Sequence, residues 1–537
     1  MGDEGIAGPA RGTVRTMRDV GAGNHSDEDR SVDRRPVLPF LPGEVSNGEF
    51  VPRGPTPRDR AIEALTLRLA ESAAAKLRMD RRRFLHSAGG LAAMLSVVNL
   101  ACSSDGANQG QSSTTTTSGP GGTFDVPDPT DTAACESVLG SQGEFIVDVH
   151  THHVMPDGPW RQHAPETVAE IQRLVPDGCT EADPLQCLDR VAYVEHIFLG
   201  SDTTVAMLSD VPNSGPTDAP MPFADNVGTH EFVAALTAGG PPRALVQSVI
   251  APNFSPVDGY LDVMSEHVAT GTVRSFKTYT AWGPGGQGYA LDDPAIGLPV
   301  IEHARAEGID VMCAHKGLPL ARFDLTRNGP RDLVAAAAQF PDVQFVVYHS
   351  AFERETTEGP YDPERAERGT NSLVRALDDV GIPPNANVWC ELGTTWREVM
   401  SNPTEAAHVL GKLLTRVGED RVLWGTDAIW FGSPQPQIMA FRAFEIAPEF
   451  QEGFGYPALT PELKAKVFGR NAATLLGLDA AADYCTIGQA RLDEARAAYT
   501  SLVDDGVVRE PWRPHGPLTR REVLGWLRRP GATTAPF

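Results

Sequence analysis

The chain has 537 residues, with 70 acidic against 46 basic side chains for a net charge of −24, and a hydrophobic content of 41%. Phosphate backbones attract a basic face, so this balance excludes nucleic acid as an expected partner. The length exceeds one ordinary domain but suits a barrel of about 250 residues or more carrying extensions.

Residues 1–56 are rich in Pro, Gly, Arg and Asp without sustained periodicity and read as disordered. The spacing of apolar residues over 57–78 predicts an amphipathic helix, so 1–78 form an N-terminal extension. There follows DRRRFLHSAGGLAAMLSVVNLAC, in which Arg81-Arg82-Arg83-Phe84-Leu85 resembles the twin-arginine export motif ahead of an apolar stretch. That reading makes 79–102 a signal segment and the twin-arginine machinery a partner; the competing reading is the basic start of a buried helix. Asn99-Leu100-Ala101-Cys102 is similar to a bacterial lipoprotein cleavage box, with asparagine where leucine is usual, and makes Cys102 a candidate lipid anchor. Met79 stands just before the arginines and is an alternative start. Residues 103–142, opening on SSDGANQGQSSTTTTSGPGG, read as a low-complexity tether. The resulting expectation is an exported, extracytoplasmic protein, membrane-anchored if Cys102 is lipidated.

From 143 to 478 eight short apolar runs recur, at 145–150, 204–209, 244–250, 273–279, 309–315, 343–349, 387–392 and 422–427. Amphipathic stretches separate them, such as 257–269, 294–307, 331–340, 364–380 and 404–417. Eight strands alternating with helices predict a closed (β/α)8 TIM barrel, an α/β fold, in preference to an open doubly wound sheet. The connection between the first two runs is long enough to carry extra elements over the rim. A helix over 461–478 closes the barrel, and 479–537 form a C-terminal extension with a predicted helix at 518–528.

None of the seven cysteines forms a CxxC pair, which argues against a zinc-thiolate site. Cys313 and Cys390 lie in apolar runs and read as buried thiols. Cys179 and Cys187 flank a polar loop and can pair in an oxidising compartment.

The residues that carry chemistry end the runs. His150 and His152 are two apart, and alternate residues of a strand share a face, so both imidazoles can reach one ion. Asp148 falls on the same face by that count, as an orienting carboxylate one step deeper. An HxH pair alone is weak, but His315 ends the fifth run, His349 the sixth and Asp427 the eighth. In a barrel the ends of the strands are where catalytic groups gather.

Asp148-Val-His150-Thr-His152, His315, His349 and Gly425-Thr426-Asp427 together resemble the amidohydrolase superfamily, within its amidohydrolase-related group that also contains non-oxidative decarboxylases. Phe468-Gly-Arg-Asn471-Ala-Ala-Thr-Leu-Leu is a softer match. The resemblance implies that His150, His152, His315 and Asp427 hold one divalent metal, most often zinc, with manganese or iron(II) as alternatives. It implies that His349 contacts the nucleophilic water or completes the site, and that Asp427 takes the proton from that water. For Lys277 it implies either a carbamylated bridge between two ions or a cation for a substrate carboxylate; one ion is the expectation.

His153, Trp160, Trp282, Glu391, Trp430 and Phe431 are candidates for lining the pocket. Gly283, Gly285 and Gly288 mimic a nucleotide loop but read as a rim loop. His196, His267 and His303 fall in helical segments and read as packing residues. The expected activity is hydrolysis of a small carbonyl compound such as a lactone, ester or amide. The alternatives are decarboxylation of an aromatic or unsaturated carboxylic acid, and a non-catalytic surface-binding protein. Oligomeric state is not legible.

Overall fold

Ten strands make two sheets in the computed structural model, which describes residues 38–45, 52–105, 121–175, 179, 181–237, 240–319, 322–482 and 484. β1 (Gly122–Phe124) belongs to the smaller one. The larger holds β2 (Val147–Thr151), β3 (Val205–Leu208), β4 (Ala244–Ile250), β5 (Val273–Thr278), β6 (Val311–His315), β7 (Gln344–Tyr348), β8 (Val388–Glu391) and β9 (Val422–Leu423). β10 (Phe444–Ile446) pairs antiparallel with β1. The eight strands β2 to β9 are parallel and lie in sequence order. Each expected run becomes one of them. The predicted helix at 518–528 and most of 1–56 lie outside the described residues.

The sheet closes on itself without a full ladder at the seam. Val149 donates its N–H to the Trp424 carbonyl (3.1 Å), Asp427 to that of His150 (2.9 Å), and His152 to that of Ala428 (2.6 Å). β9 is only two residues long because Trp424 N–H turns to the Val467 carbonyl (3.0 Å) of the closing helical segment. Val147, Val149, Val205, Met207, Leu245, Val311, Cys313, Val346, Tyr348, Trp389 and Leu423 form one interior cluster. Both faces of the strands are buried, as a parallel sheet wrapped in helices requires. Cys313 and Cys390 are buried free thiols; burial raises both, Cys313 to about 12.

The long connection from β2 to β3 carries short helices at Trp160–His163, Pro165–Ile171 and Arg190–Val194, and Cys179 is bonded to Cys187 within it. Its apolar residues Trp160, Leu174, Leu185 and Tyr193 pack with Val45 and with Ile429, Trp430 and Phe431 beyond β9.

Before β2 the described residues hold four helices: α1 (Pro57–Leu77), α2 (Arg81–Leu85), α3 (Ala88–Asp105) and α4 (Thr132–Leu139). Thr56 and Asp59 form a capping box at the start of α1. The three arginines Arg81–Arg83 are exposed, whereas Phe84 and Leu85 are buried. β1 and α4 fall inside the stretch expected to be a tether; three residues of strand and two turns of helix leave no period to read. No described helix is long and apolar enough to cross a membrane.

Candidate metal centre

Four imidazoles and a carboxylate meet at the C-terminal mouth of the barrel. His150 and His152 come from the end of β2, His315 from the end of β6, His349 from the residue after β7, and Asp427 from the loop after β9. All five are buried. His349 and Asp427 sit at φ of 62° and 61°, in the left-handed region that non-glycine residues rarely occupy. Such conformations concentrate where the chain must aim a functional group.

The outer nitrogen of each ring is already engaged. His152 Nδ1 lies 2.6 Å from the Ser209 carbonyl, His349 Nδ1 2.8 Å from that of Gly393, and His315 Nε2 3.1 Å from that of Leu318. A carbonyl only accepts, so each of these nitrogens carries the ring hydrogen and the opposite nitrogen carries a lone pair. His150 Nδ1 faces the Glu391 carboxylate at 3.2 Å, with the same consequence. The inner nitrogens then confront other acceptors: His349 Nε2 and His315 Nδ1 are 3.1 Å apart, and His152 Nε2 is 3.2 Å from Asp427 Oδ1. Lone pairs at that separation repel unless positive charge lies between them.

Protons are poor candidates for that charge. Burial holds all four imidazoles below the ordinary histidine range, His150 and His315 far below it and His349 at about 4. Burial works to raise Asp427, but positive charge on the side of His150, His152 and His349 outweighs it and keeps the carboxylate well below its usual range. Neutral imidazoles beside a carboxylate are a fitting donor set for a divalent ion such as zinc. The ligand atoms of His150, His152 and Asp427 lie within 4.8 Å of one another, as do those of His150, His349 and Glu391.

Glu391 holds this arrangement in place. It is completely buried, accepts from the His349 backbone N–H (2.6 Å) and the Gly393 N–H, and faces His150 Nδ1. Accepting from these backbone donors while facing His150, it ties the β2 and β7 imidazoles together. Two glycines make room for it. A Cβ on Gly393 would stand 2.6 Å from both Glu391 Oε2 and His150 Nδ1, and one on Gly425 would stand 2.2 Å from Glu391 Oε2. The acid at the end of the seventh run was legible only as pocket lining; a bracing role leaves no signal in one sequence beyond a charge closing an apolar strand.

Asp148 departs from simple strand alternation. The register shifts between Asp148 and Thr151, so Val149 joins the interior cluster while the next residue, His150, also lies against interior Tyr348 (ring centroids 4.6 Å). Asp148 accepts instead from the backbone N–H of Thr426 (3.0 Å) and of His150 (3.1 Å) and from the Thr426 hydroxyl. It therefore fastens backbone across the β2–β9 seam, not an imidazole ring. Burial raises its carboxyl to about 7 against those hydrogen bonds.

Lys277, from β5, is fully buried with Nζ 3.0 Å from His150 Nε2 and over the Tyr348 ring at 4.3 Å. Trp430 stacks on His152 (5.5 Å, 24°), and Tyr279 and Phe323 both flank His315 at 5.3 Å. Trp282 packs beside Phe323 and donates its indole N–H to the Asn213 carbonyl. Phe431 lies under the Arg397 guanidinium (6.0 Å). The structure does not bring His153 and Trp160 to the cluster. His153 Nε2 meets the Thr229 hydroxyl (2.9 Å), and Trp160 donates to the Met155 carbonyl (2.8 Å) within the apolar cluster of the β2–β3 connection. His196 and His267 are held near 4 by burial alone, as packing residues are.

A closed parallel barrel with histidines and an aspartate gathered at its C-terminal mouth defines a metal-dependent barrel enzyme. Residues 147–478, more than half of the chain, match the amidohydrolase family, and the chain belongs to it. A search of curated proteins gave no significant match. Solved structures similar to it include 5-carboxyvanillate decarboxylase from Sphingomonas paucimobilis (14% identity, TM-score 0.38, 63% of this chain and 100% of that one). Another is a candidate 2-pyrone-4,6-dicarboxylic acid hydrolase from Pseudomonas putida (14%, TM-score 0.36, 62% and 97%). A third is a dihydroxybenzoic acid decarboxylase from Polaromonas sp. JS666 with bound manganese (15%, TM-score 0.38, 62% and 97%).

Proposed function

We propose that this amidohydrolase-family enzyme hydrolyses a small carbonyl compound, a lactone, ester or amide, at the mouth of the barrel. The observation that carries the reading is the inward convergence of imidazole lone pairs whose ring hydrogens are fixed on Ser209, Leu318, Gly393 and Glu391. His150, His152 and Asp427 would hold a divalent ion, zinc by the chemistry of the donors, with His315 and His349 extending the seat toward β6 and β7. Such an ion supplies Lewis acidity toward a carbonyl oxygen and acidifies water by several pKa units.

The chain's own groups divide the remaining work. Asp427, ionised and anchored through Oδ2 by the Thr394 hydroxyl (2.6 Å), accepts a proton from water and returns it to the leaving group. His349 orients the water from the opposite side. Trp430 on one flank and Tyr279 with Phe323 on the other exclude bulk solvent.

Lys277 supports a second reading. A buried amine beside His150 can hold a substrate carboxylate, the group on which a decarboxylase of an aromatic or unsaturated acid acts. Product analysis separates the two: one cleaves the carbonyl compound with water, the other releases CO2 and leaves the skeleton intact. The proposal predicts at least one equivalent of zinc, manganese or iron after extensive dialysis, lost in His150→Ala with the circular dichroism unchanged. Folded protein that binds no metal when titrated with these ions would remove the proposal.

A further inference from the structure

The stretch that carries the arginine run is packed as core. Leu91, Ala92, Ala93, Met94, Leu95, Val97 and Val98 of α3 are buried, as are Phe84 and Leu85 before it. They belong to the same apolar cluster as Trp396, Val399, Leu410, Phe441 and Phe444 on the outer layer of the barrel. A helix apolar on all sides must be enclosed by protein or by lipid; here protein encloses it, with α1, α4 and β1 completing the enclosure.

The fit is specific as well as apolar. Asn99 clamps β1 through both of its amide atoms: its Nδ2 donates to the Phe124 carbonyl (2.8 Å) and its Oδ1 accepts from the Phe124 N–H (2.9 Å). β1 in turn is paired to β10, and Phe124 packs edge-on against Phe444 (5.4 Å). Arg58 of α1 reaches both Cys102 Sγ (2.6 Å) and the Ser401 carbonyl (3.0 Å) of the barrel. In the first turn of α3 a Cβ on Gly90 would lie 2.2 Å from the Phe84 carbonyl, and one on Gly89 2.7 Å from that of Pro129. Asn99, the residue that departs from the lipoprotein-box pattern, is thus one with structural partners here.

We infer that residues 57–105 are a permanent collar of the working enzyme, docked on the barrel's outer layer, with Cys102 remaining an unmodified thiol. The segment expected to direct export and be removed is instead the partner of that barrel face. Detaching it would strip cover from Trp396, Phe441 and Phe444 and leave β1 without its clamp.

Asn99→Leu discriminates between the two roles, because it installs the residue usual in a lipoprotein box while deleting the clamp. The full chain would be produced in a bacterium that has both twin-arginine translocation and lipoprotein processing. Intact mass, N-terminal sequencing and alkylation of Cys102 after unfolding would be measured on the purified, metal-loaded protein. The expected result is a chain that retains 57–105 with an alkylatable Cys102, in the parent, in Arg81→Lys/Arg82→Lys and in Asn99→Leu. Asn99→Leu should also melt about 2–3 °C lower, the shift expected in a chain of this length when both hydrogen bonds to Phe124 are lost. An active protein beginning at or beyond Cys102, a lipid adduct on that cysteine, or an unchanged Tm in Asn99→Leu would overturn the inference.

Discussion

Glu391→Gln tests the bracing of the metal centre with almost no change in shape. Three donors converge on the carboxylate: His150 Nδ1, the His349 N–H and the Gly393 N–H. An amide offers one oxygen and turns an NH2 toward the remaining donors, so at least one charge-assisted bond is lost and a donor–donor contact replaces it. Such a bond contributes about 1.5–3 kcal/mol in a buried setting. At about 1.4 kcal/mol per tenfold, metal affinity should fall by roughly 10- to 100-fold, the range typical of losing a partner behind a ligating histidine. Competition with a chromogenic chelator at fixed pH measures the Kd, and melting of the metal-free protein checks that the fold persists. A Kd within about twofold of the parent would show that Glu391 does not support the ligands.

Gly393→Ala should weaken metal binding at least as much, because its Cβ would sit on both Glu391 and His150; unaltered affinity in the same competition assay would contradict the cradle. Lys277→Met should lower kcat by about 100-fold or more while the protein stays folded, since the amine touches His150 and no solvent can replace it; wild-type turnover would exclude the lysine from the reaction. Acid sensitivity should trace in part to His408, which burial and then Lys412 hold down to about 3 among Phe450, Phe454 and Tyr456. Its depressed pKa contributes stability above the unfolded value near 6.5, which is lost as pH falls toward 3. The drop in Tm between pH 7 and pH 5 should therefore shrink in His408→Phe, and an undiminished drop would dismiss that histidine as a source.

The barrel and the convergence of its strand-end groups were legible because both depend on short-range pattern. Apolar runs such as VQFVVYHS and VLWGTD show strand and terminal ligand together, and the five strand-end groups fall at one mouth once the sheet closes. Three features were hidden for physical reasons. Asp148 was placed by strict alternation, which the register shift before Thr151 breaks. β1 and β10 are three residues each and acquire identity only by pairing across more than 300 positions. A helix buried on every side has the same composition as the apolar part of a leader, so composition alone leaves both readings of 79–102 open, and the contacts of α3 are invisible in it.

The donors that meet at the barrel mouth are drawn from positions 150 to 427, and Asp427 reaches them only through the seam that joins the last strand to the first. An unfolded chain cannot present that cluster, so an ion held there is bound by the finished cylinder alone. By mass action each tenfold of free ion above Kd deepens the native well by about 1.4 kcal/mol. Ion capture thus reinforces a seam that the backbone hydrogen bonds already close, and a chelator should lower the Tm of the loaded protein while leaving it folded.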